Sequence, residues 1–533
     1  MGRRSVLAAG LAAVGVAAAG ADGGKPGGDR HFDVLFVGAH PDDEHVNLAT
    51  FGQWRERFGW TAAVVTVTRG EGGGNAAGPE EGAALGRIRE VEERAATRVA
   101  GVRKVFYLDK PDFWYTLSAP LTARAWNARD TLERLVRLVR ATTPDTVVVM
   151  DPRPFNQHGG HQLSARLGIE AFALAAAPDA FPEQRLRPWR ARRLLAQNYG
   201  FAALLGPAAA RSPRTDPHTG LPVLGVWSGT PSRHGVSWAQ LARDAARKYR
   251  TQGFAALPER VPTDPGLLGS DWFTILADDG RLLRAPVRPQ SNLKPLYAEF
   301  RRWTDRVGLP WLANDAQPDY PPPPTTVVPA VLTAPVVNGV EGDGEYPGPE
   351  LPLTWWQGTA APGFAAHAKV CRHDTDLYVL VRVRDERRGA ALARDDVKRH
   401  WRTDAVEIAL DPSGRSDDTS TTFKLGIVPF TASAGGPMAE RDADARQGPA
   451  AVTAAGVAVA AVVTEPYQGY TAEARIPLNQ LPAAVNPAEF AMNILVYDSN
   501  TQDKTGQARY AWSPFGSAQA DPYVWGRATL ADY

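Results

Sequence analysis

Hydrophobic residues follow two alternating patterns over the first part of the chain. Four short runs are mainly apolar, as expected for parallel strands that are buried on both faces. They occupy residues 33–38 (DVLFVG), 62–68 (AAVVTVT), 102–108 (VRKVFYL) and 146–150 (TVVVM). Between them, residues 83–100 and 123–142 place apolar side chains at helical spacing, with charged side chains on the other face. The alternation predicts an α/β domain in which helices cover both faces of a parallel sheet.

The pattern changes after four consecutive prolines at residues 321–324. Such a run forms a semi-rigid extended spacer, so we assign residues 319–330 to a Pro-rich linker. Beyond it, runs of β-branched residues are separated by Gly, Pro, Asp and Ser. These runs occupy residues 377–383, 405–410, 456–463, 470–476 and 490–497. The sequence therefore predicts an α/β domain over residues 31–318 and an all-β sandwich over residues 331–533.

The first 22 residues have the composition of an export signal. Arg3 and Arg4 precede an apolar run at residues 6–19, and small residues follow before Asp22. The apolar run is shorter than the roughly 20 residues that a membrane-spanning helix needs. We therefore predict a secreted protein without stable membrane insertion, exported by the twin-arginine or the general secretory route. An Ala-rich first helix is the alternative interpretation of this run.

The overall composition excludes several classes of function. The chain has 59 basic and 58 acidic residues, and its formal net charge of +1 excludes the basic surface of a general nucleic-acid binder. Hydrophobic residues make up 44% of the chain, which is enough for folded domains with sizeable cores. Cys371 is the only cysteine, so neither an intramolecular disulfide nor a thiolate metal cluster can form. Any metal site must therefore use His and carboxylate side chains.

Two of the predicted strands end in loops that contain histidine or aspartate. Ligands bind at the carboxyl ends of parallel strands, so we expect these loops to meet at one edge of the sheet. His40, Asp43 and His161 can supply the three protein ligands of a catalytic zinc site. Asp42 then suits a general base, and His158 suits an oxyanion stabiliser. An Asx turn with isolated structural histidines is the alternative interpretation.

The residues around these loops resemble one known family. The chain carries AHPDDE at residues 39–44, TVTRGEG at residues 66–72, and the pair His158 and His161. These motifs resemble the PIG-L/LmbE-like N-acetylglucosaminyl deacetylases, which are zinc-dependent hydrolases with a Rossmann-like sheet that remove an acyl group from an amino-sugar nitrogen. The resemblance covers residues 32–175. It implies zinc ligation by His40, Asp43 and His161, proton transfer by Asp42, and polarisation of the tetrahedral intermediate by His158.

Two further residues match positions that contact the sugar in this family. The resemblance implies that Arg89 reaches the sugar and that Asp112 binds a sugar hydroxyl. For Arg89, a salt bridge with Glu92 or Glu93 on the helix surface is the alternative.

One position departs from the family pattern. The family usually has Asp between the two histidines of the second motif, where this chain has Gly160. That carboxylate commonly orients and charges the catalytic histidine. Its absence is expected to weaken His158 as a cation unless another acid, such as Asp151, takes its place.

Three segments of the second domain resemble family 9 carbohydrate-binding modules, which are β-sandwiches. These segments are residues 374–385, 401–411 and 469–477. In such modules aromatic rings stack on sugars, which makes Trp401 the first candidate, followed by Trp512 and Trp525. Core packing is the alternative for each tryptophan. The likeness also implies that carboxylates could hold a structural Ca²⁺, the candidates being Asp374, Asp385, Asp404 and Glu407.

These observations lead to one functional hypothesis and two alternatives. We expect a secreted zinc-dependent amidase that removes the acetyl or another N-acyl group from an amino sugar in a glycan or glycoconjugate. The C-terminal module would hold the carbohydrate substrate, and the sequence indicates neither a nucleic-acid nor a protein partner. The alternatives are a glycan-binding protein with a decayed amidase site, and a deacylase of a glycopeptide or lipoglycoside natural product.

Overall fold

The computed structural model describes most of the chain from His31 to Tyr533. The described ranges are 31–112, 115–154, 157–291, 293–314, 321–416, 419–432, 436–441, 446, 448–501 and 507–533. The predicted export signal, residues 1–22, lies outside the described residues. Within these ranges, no helix combines the length and the apolar character needed to cross a bilayer.

The first domain contains the strands β1 to β9 and the helices α1 to α8. The strands are β1 (Val34–Gly38), β2 (Ala62–Thr66), β3 (Lys104–Tyr107), β4 (Thr146–Val149), β5 (Arg193–Gln197), β6 (Arg214–Thr215), β7 (Pro222–Trp227), β8 (Ser270–Asp278) and β9 (Arg281–Leu282). The helices are α1 (Leu48–Phe58), α2 (Gly82–Val99), α3 (Ala119–Trp126), α4 (Ala128–Thr142), α5 (Gly159–Ala175), α6 (Pro207–Arg211), α7 (Trp238–Ala246) and α8 (Pro295–Arg306). Short 3-10 helices cover His45–Asn47, Pro182–Gln184, Tyr199–Phe201, Phe254–Ala256, Pro265–Leu267 and Pro310–Ala313.

The sheet of the first domain is partly parallel. Strands β3, β2, β1, β4 and β5 lie side by side in that order, and neighbouring strands are parallel. Beyond β5 the sheet continues through β8, β7 and β6 in antiparallel pairings. The prediction of a parallel sheet is therefore confirmed for the four predicted strands, to which β5 adds a fifth, and the whole sheet is mixed. The short connections from β6 to β7 and from β8 to β9 can join only antiparallel neighbours.

The central strands position the two loops that carry the candidate chemistry. All five residues of β1 and all four of β4 are buried. Helix α5 packs closely against them at Gly168, where a Cβ atom would lie 2.7 Å from Cγ1 of Val149. Because α5 begins directly after His158, this packing fixes the position of the second histidine loop.

The second domain consists of strands β10 to β22, with one short helix. The strands are β10 (Thr325–Val328), β11 (Leu351–Gln357), β12 (Ala365–His373), β13 (Asp376–Arg384), β14 (Ala405–Asp411), β15 (Phe423–Val428), β16 (Met438–Arg441), β17 (Gly448–Pro449), β18 (Ala458–Val463), β19 (Gly469–Pro477), β20 (Phe490–Ser499), β21 (Gln507–Ala511) and β22 (Gly526–Leu530). The helix is α9 (Ala450–Thr453), and 3-10 segments cover Arg394–Arg402, Thr419–Thr421, Leu478–Gln480 and Pro522–Val524.

The described strands of this domain form one continuous sheet instead of two separate ones. Its main path runs β17-β16-β15-β14-β20-β21-β11-β12-β13-β19-β18 in antiparallel pairings. Strand β11 pairs with β12 through Leu351–Leu353 and with β21 from Thr354 onward, so this one strand joins the two halves. An irregularity between Trp355 and Gln357 lies within the pairing with β21, and such an irregularity bends a strand locally. The halves share one core, to which Val379 and Val381 contribute from one side and Ile408 and Leu425 from the other.

The predicted linker is shorter in the structure than in the sequence analysis. Residues 325–328, assigned there to the linker, form β10 and pair in parallel with β22. Thr326 and Val328 are buried, whereas Thr325 and Val327 are exposed, which is the alternation of a half-buried strand. The second domain therefore begins within the range 319–330.

Candidate active site

The loops after β1 and β4 bring three potential metal ligands together. Nε2 of His161 lies 3.0 Å from Nδ1 of His40 and 3.3 Å from Oδ1 of Asp43. The third separation, between Nδ1 of His40 and Oδ2 of Asp43, is 3.8 Å. We call His40, Asp43 and His161 the metal corner.

The donor set of the metal corner fits zinc. Bonds of about 2.0–2.1 Å in a tetrahedron place neighbouring donor atoms about 3.3 Å apart, close to the observed separations. The surroundings of His40 also attract a cation: burial by itself would lower the pKa of this imidazole, but Asp112, Asp43 and Asp42 raise it to about 9. The pKa of His161 is lowered by burial to about 4, so this imidazole is neutral and available as a ligand.

Backbone hydrogen bonds orient the carboxylate of Asp43. Its Oδ2 accepts from the amide of Ala39 at 2.6 Å and from the amide of His40 at 2.8 Å. The other oxygen, Oδ1, faces His161. The turn comes close to β1 at Gly38, where a Cβ atom would lie 2.9 Å from Cβ of Asp43. Glycine at this position therefore allows the aspartate to reach the metal corner.

His40 contacts a carboxylate through its second nitrogen. Nε2 of His40 lies 3.5 Å from Oδ1 of Asp112, while Oδ2 of Asp112 accepts from the amide of Gly72 at 3.1 Å. A carboxylate behind a ligating imidazole fixes the orientation and tautomer of the ring. The geometry thus gives Asp112 a role in positioning the His40 ring. Asp112 also lines a cavity next to the metal corner, and its contact with a sugar hydroxyl stays a prediction.

Asp42 is held in a strained backbone conformation beside the metal corner. Its φ of 130° is rare for a residue other than glycine. Its carbonyl oxygen lies 2.5 Å from Nδ1 of His45, which helps to fix the turn. Burial and the neighbouring Asp43 carboxylate raise the pKa of Asp42 to about 8. An aspartate with a raised pKa next to a metal site suits a group that first accepts and then donates a proton.

His158 lies on the other flank of the site. Its ring stacks on Tyr115 with centroids 4.9 Å apart and an interplanar angle of 21°. The ring centroid of His40 is also 4.9 Å away. A Cβ atom at Gly160 would lie 3.2 Å from Nδ1 of His158, so the family's aspartate would sit beside this nitrogen. The carboxylate of Asp151, the suggested substitute, instead accepts three hydrogen bonds from the guanidinium of Arg153.

Arg89 is buried beneath the glycine-rich loop that follows β2. Its guanidinium donates to the carbonyl oxygens of Gly70 at 2.6 Å and Gly74 at 2.7 Å, and to Oε1 of Gln252 at 3.0 Å. Its Nε is buried and has no hydrogen-bond partner among the described residues. Arg89 lines the same cavity as Asp112. Its contact with a sugar stays a prediction.

The alternative for Arg89, a surface salt bridge, is wrong. The side chain is only 3% exposed. Glu92 accepts hydrogen bonds from Thr251, and Glu93 accepts from Thr66. Both glutamates therefore serve contacts inside the fold.

The metal corner opens into a cavity of about 730 Å³ that both domains line. From the second domain, the lining residues are Trp401, Glu407, Lys424, Tyr497, Arg509 and Gln519. We call this set the C-terminal wall. The structure thus places Trp401, predicted as a sugar-stacking residue of an independent module, on the same cavity as the metal corner.

Comparison with known proteins decides the family. Residues 35–172 match the family described as GlcNAc-PI de-N-acetylase (PIG-L). A 1D-myo-inositol 2-acetamido-2-deoxy-alpha-D-glucopyranoside deacetylase from Thermobispora bispora is 32% identical over 267 residues, which are 46% of this chain and 84% of the relative. The chain belongs to the PIG-L family. A relative of the same description from Mycobacterium tuberculosis is 28% identical over 47% of this chain and 89% of its own length.

The second domain matches a different family. Residues 339–533 match the family described as carbohydrate family 9 binding domain-like (CBM9). A family 9 module from Caldicellulosiruptor kristjanssonii in complex with cellotriose is 20% identical, covering 39% of this chain and 93% of its own, with a TM-score of 0.29. An N,N'-diacetylchitobiose deacetylase from Pyrococcus horikoshii is also 20% identical, over 46% of this chain and 83% of its own, with a TM-score of 0.33.

The CBM9 domain buries two of the three candidate tryptophans. Trp512 is 6% exposed and Trp525 is fully buried, with its Nε1 donating to the carbonyl oxygen of Ala518. Their suggested role in stacking on sugars is therefore wrong, and they are core residues. Trp401 is half-buried and accessible from the cavity.

The CBM9 domain also gathers some of the candidate calcium ligands. Asp385 and Asp404 join Asp498 in a buried cluster whose oxygens lie within 4.8 Å of one another. This all-oxygen donor set fits Ca²⁺. Asp374 is not among the three, and Glu407 belongs to the C-terminal wall. Asp498 is not a candidate from the sequence, because it joins the cluster only through the pairing of β20 with β14.

Proposed function

We propose that this PIG-L protein is a zinc-dependent deacetylase that removes the N-acetyl group of an amino sugar in a glycan or glycoconjugate. One observation supports it most strongly: Nε2 of His161 lies 3.0 Å from Nδ1 of His40 and 3.3 Å from Oδ1 of Asp43, the residue that directly follows Asp42. The curated relatives, which are described as deacetylases of an amino-sugar glycoside, support this substrate class.

The side chains around the metal corner would each have a separate role in amide hydrolysis. Zinc, when bound, supplies Lewis-acid polarisation of the amide carbonyl and lowers the pKa of a water molecule. Asp42 accepts a proton from the attacking water and later delivers it to the nitrogen of the leaving amine. His158 donates a hydrogen bond to the carbonyl oxygen as negative charge develops on it. Asp112 holds the His40 ring in place.

The decisive experiment measures acetate release from N-acetylated amino sugars by the zinc-loaded protein. Asp42→Asn should retain zinc and fold while losing about 10²–10⁴ in rate, because a positioned general base contributes that much. Loss of zinc in Asp42→Asn would instead assign ligation to Asp42. A protein that binds zinc and sugar but releases no acetate from any substrate would favour the glycan-binding alternative.

Three further properties belong to the same proposal. We propose that residues 1–22 direct export of the protein, that its five-stranded parallel core is Rossmann-like, and that Asp385, Asp404 and Asp498 bind a structural Ca²⁺. The burial of three carboxylates side by side supports the calcium site, because a cation offsets their mutual repulsion. Dialysis against EGTA should lower the melting temperature of the protein, and added Ca²⁺ should restore it.

A further inference from the structure

The CBM9 domain is fixed against the glycine-rich side of the PIG-L domain. Arg399 and Arg402, both buried, donate to the carbonyl oxygen of Asn75 at 3.2 and 2.5 Å. Next to them, Lys398 forms an ion pair of 2.5 Å with Glu81. Hydrogen bonds from buried charged donors are among the stronger polar contacts in proteins. They hold the segment Arg394–Arg402 against the loop that follows the glycines.

A second contact lies on the other side of the cavity. The carbonyl oxygen of Tyr115 accepts from Oγ1 of Thr419 at 3.3 Å. The same tyrosine packs on a small apolar cluster formed by Leu117, Leu296 and Ala520. The two contacts flank the cavity, so the C-terminal wall is held in place opposite the metal corner.

A buried hydrogen-bonded network forms the floor of the C-terminal wall. Oε2 of Glu407 lies 2.9 Å from Nε2 of His400 and accepts from the hydroxyl of Tyr497 at 3.1 Å. Oε1 of Glu407 lies 3.2 Å from Nζ of Lys424. Burial alone would raise the pKa of Glu407, but Lys424 and His400 lower it to about 2. The wall therefore places an ionised carboxylate and the ammonium group of Lys424 side by side.

The edge of the wall carries groups that can contact a ring. Trp401 is half-buried, and its indole lies 3.5 Å from the point that a Cβ atom would occupy at Gly74. Arg509 is also half-buried, with its guanidinium carbon 5.5 Å from the centroid of the Tyr497 ring. An aromatic face, a carboxylate and cationic donors together match the ring face and hydroxyl groups of a polyhydroxylated ring.

We propose that the C-terminal wall is part of the substrate site of this enzyme, so that residues of the CBM9 domain bind the ring next to the N-acyl amino sugar while the metal corner holds the amide. The cavity of about 730 Å³ is continuous between the two sets of residues. Its size falls within the range of sites that enclose a small ligand, about 300–1,000 Å³. The inference rests on the proposed deacetylase function and adds a specificity-determining role for the CBM9 domain.

The test compares a one-ring and a two-ring sugar on the zinc-loaded full chain. Binding of N-acetylglucosamine and of N,N'-diacetylchitobiose is measured by calorimetry in an Asp42→Asn background, so that neither ligand is consumed. We expect the two-ring sugar to bind about tenfold or more tightly, and Trp401→Ala and Arg509→Ala each to remove most of that preference. Trp355→Ala, a tryptophan of the same domain that is 52% exposed and outside the cavity, should keep it.

Two results would overturn the inference. One is equal affinity, or no measurable affinity, for both sugars in the parent protein. The other is a preference that survives both wall substitutions, or that Trp355→Ala removes as fully as they do. Circular dichroism and melting temperature show whether each variant has folded. If Trp401→Ala fails to fold, the binding preference of Arg509→Ala alone tests the role of the wall.

A separate assay distinguishes this inference from the proposed function. Acetate release by the chain with Asp42 intact is measured on both sugars. A two-ring preference in binding without acetate release from either sugar would remove the deacetylase function and leave the C-terminal wall as a sugar site. Equal kcat/KM for both sugars, unaffected by Trp401→Ala, would leave the deacetylase and remove the second-ring site.

Discussion

The metal corner and the C-terminal wall face the same cavity but are built in different ways. In the metal corner, two ligands lie three residues apart in one turn, and the backbone amides of that turn orient Asp43. The C-terminal wall takes its side chains from several elements between residues 401 and 519. Contacts between the two domains, such as that of Arg402 with Asn75, bring it into place.

Because of this difference, the metal corner and the C-terminal wall should respond differently to a shift of the second domain. Because local hydrogen bonds hold the metal corner, it should keep its shape when the second domain shifts. The wall should lose its function when the domains part, even though its own network remains intact. Substitutions in each part should therefore give different signatures: loss of metal for the corner, and loss of substrate preference or docking for the wall.

The largest expected effect comes from breaking the metal corner. His161→Ala removes one of three ligands, so zinc should fall from about one per chain to a trace. The rate of acetate release should drop more than about 100-fold, since even partners behind the ligands typically affect metal affinity or activity 10–100-fold. Zinc content by atomic emission and acetate release check both. His234→Ala, at an exposed histidine of the same domain, is the control. Full zinc retention by His161→Ala would eliminate the assigned ligand set.

A smaller effect on zinc binding should follow from substituting Asp112, whose carboxylate contacts the second nitrogen of His40. Asp112→Asn keeps the shape of the side chain but removes the charge that faces Nε2 of His40. We expect zinc affinity to fall about 10–100-fold, the usual range for a partner behind a ligating histidine. Competition with a chelator measures this. Asp109→Asn, in the same loop and mostly exposed, should leave zinc affinity unchanged. Unchanged zinc affinity in Asp112→Asn with weakened sugar binding would support its predicted contact with a sugar hydroxyl instead.

The wall can be displaced without touching either the metal corner or the sugar contacts. Arg402→Ala removes a charge-assisted hydrogen bond to Asn75, a class of contact worth about 1.5–3 kcal/mol. Zinc content should stay unchanged, while kcat/KM for a two-ring sugar falls by about tenfold or less, because part of the population undocks. Arg415→Ala, at an exposed position of the same domain, is the control. An equal loss of zinc and activity in Arg402→Ala would show that the two parts are not independent.

The metal corner could be predicted from the sequence because its geometry is local. Residues 39–44 form one turn after a buried strand, and the order of β1 and β4 brings His161 to the same edge. The mixed character of the sheet was less evident, since the antiparallel strands after β5 are short or irregular in pattern. The predicted range of the linker was too long, because the strand at residues 325–328 directly follows the prolines.

The wall could not be predicted because no local pattern specifies it. Trp401 was identified as a sugar-binding candidate of a separate module, and Glu407 as a candidate calcium ligand. Nothing in the sequence indicates that both would face His40 across a domain interface. Lys424, Tyr497 and Arg509 were missed for the same reason: each is an ordinary strand residue until the fold brings it to the cavity.

The smallest expected effect, and the one that most sharpens the comparison, comes from placing an aspartate at position 160, as the resemblance to the family implies. Gly160 lies in the first turn of α5 with an ordinary helical backbone, so the substitution needs no left-handed conformation. A Cβ atom there would lie 3.2 Å from both Nδ1 of His158 and Cε1 of His40, so the rings must shift by a few tenths of an ångström. The new carboxylate would accept from Nδ1 of His158 and favour its protonated form, which stabilises an oxyanion better than a neutral ring does.

We therefore expect Gly160→Asp to raise kcat about tenfold or less, with zinc content and the two-ring preference unchanged. Gly160→Ala is the matched control, because it adds the same Cβ atom without the charge and isolates the steric cost. If both variants lower kcat equally, crowding against the His40 ring dominates and His158 needs no carboxylate in this chain. If Gly160→Asp also alters the preference for the two-ring sugar, the metal corner and the C-terminal wall are coupled through the rings of His158 and Tyr115, which stack at the boundary between them.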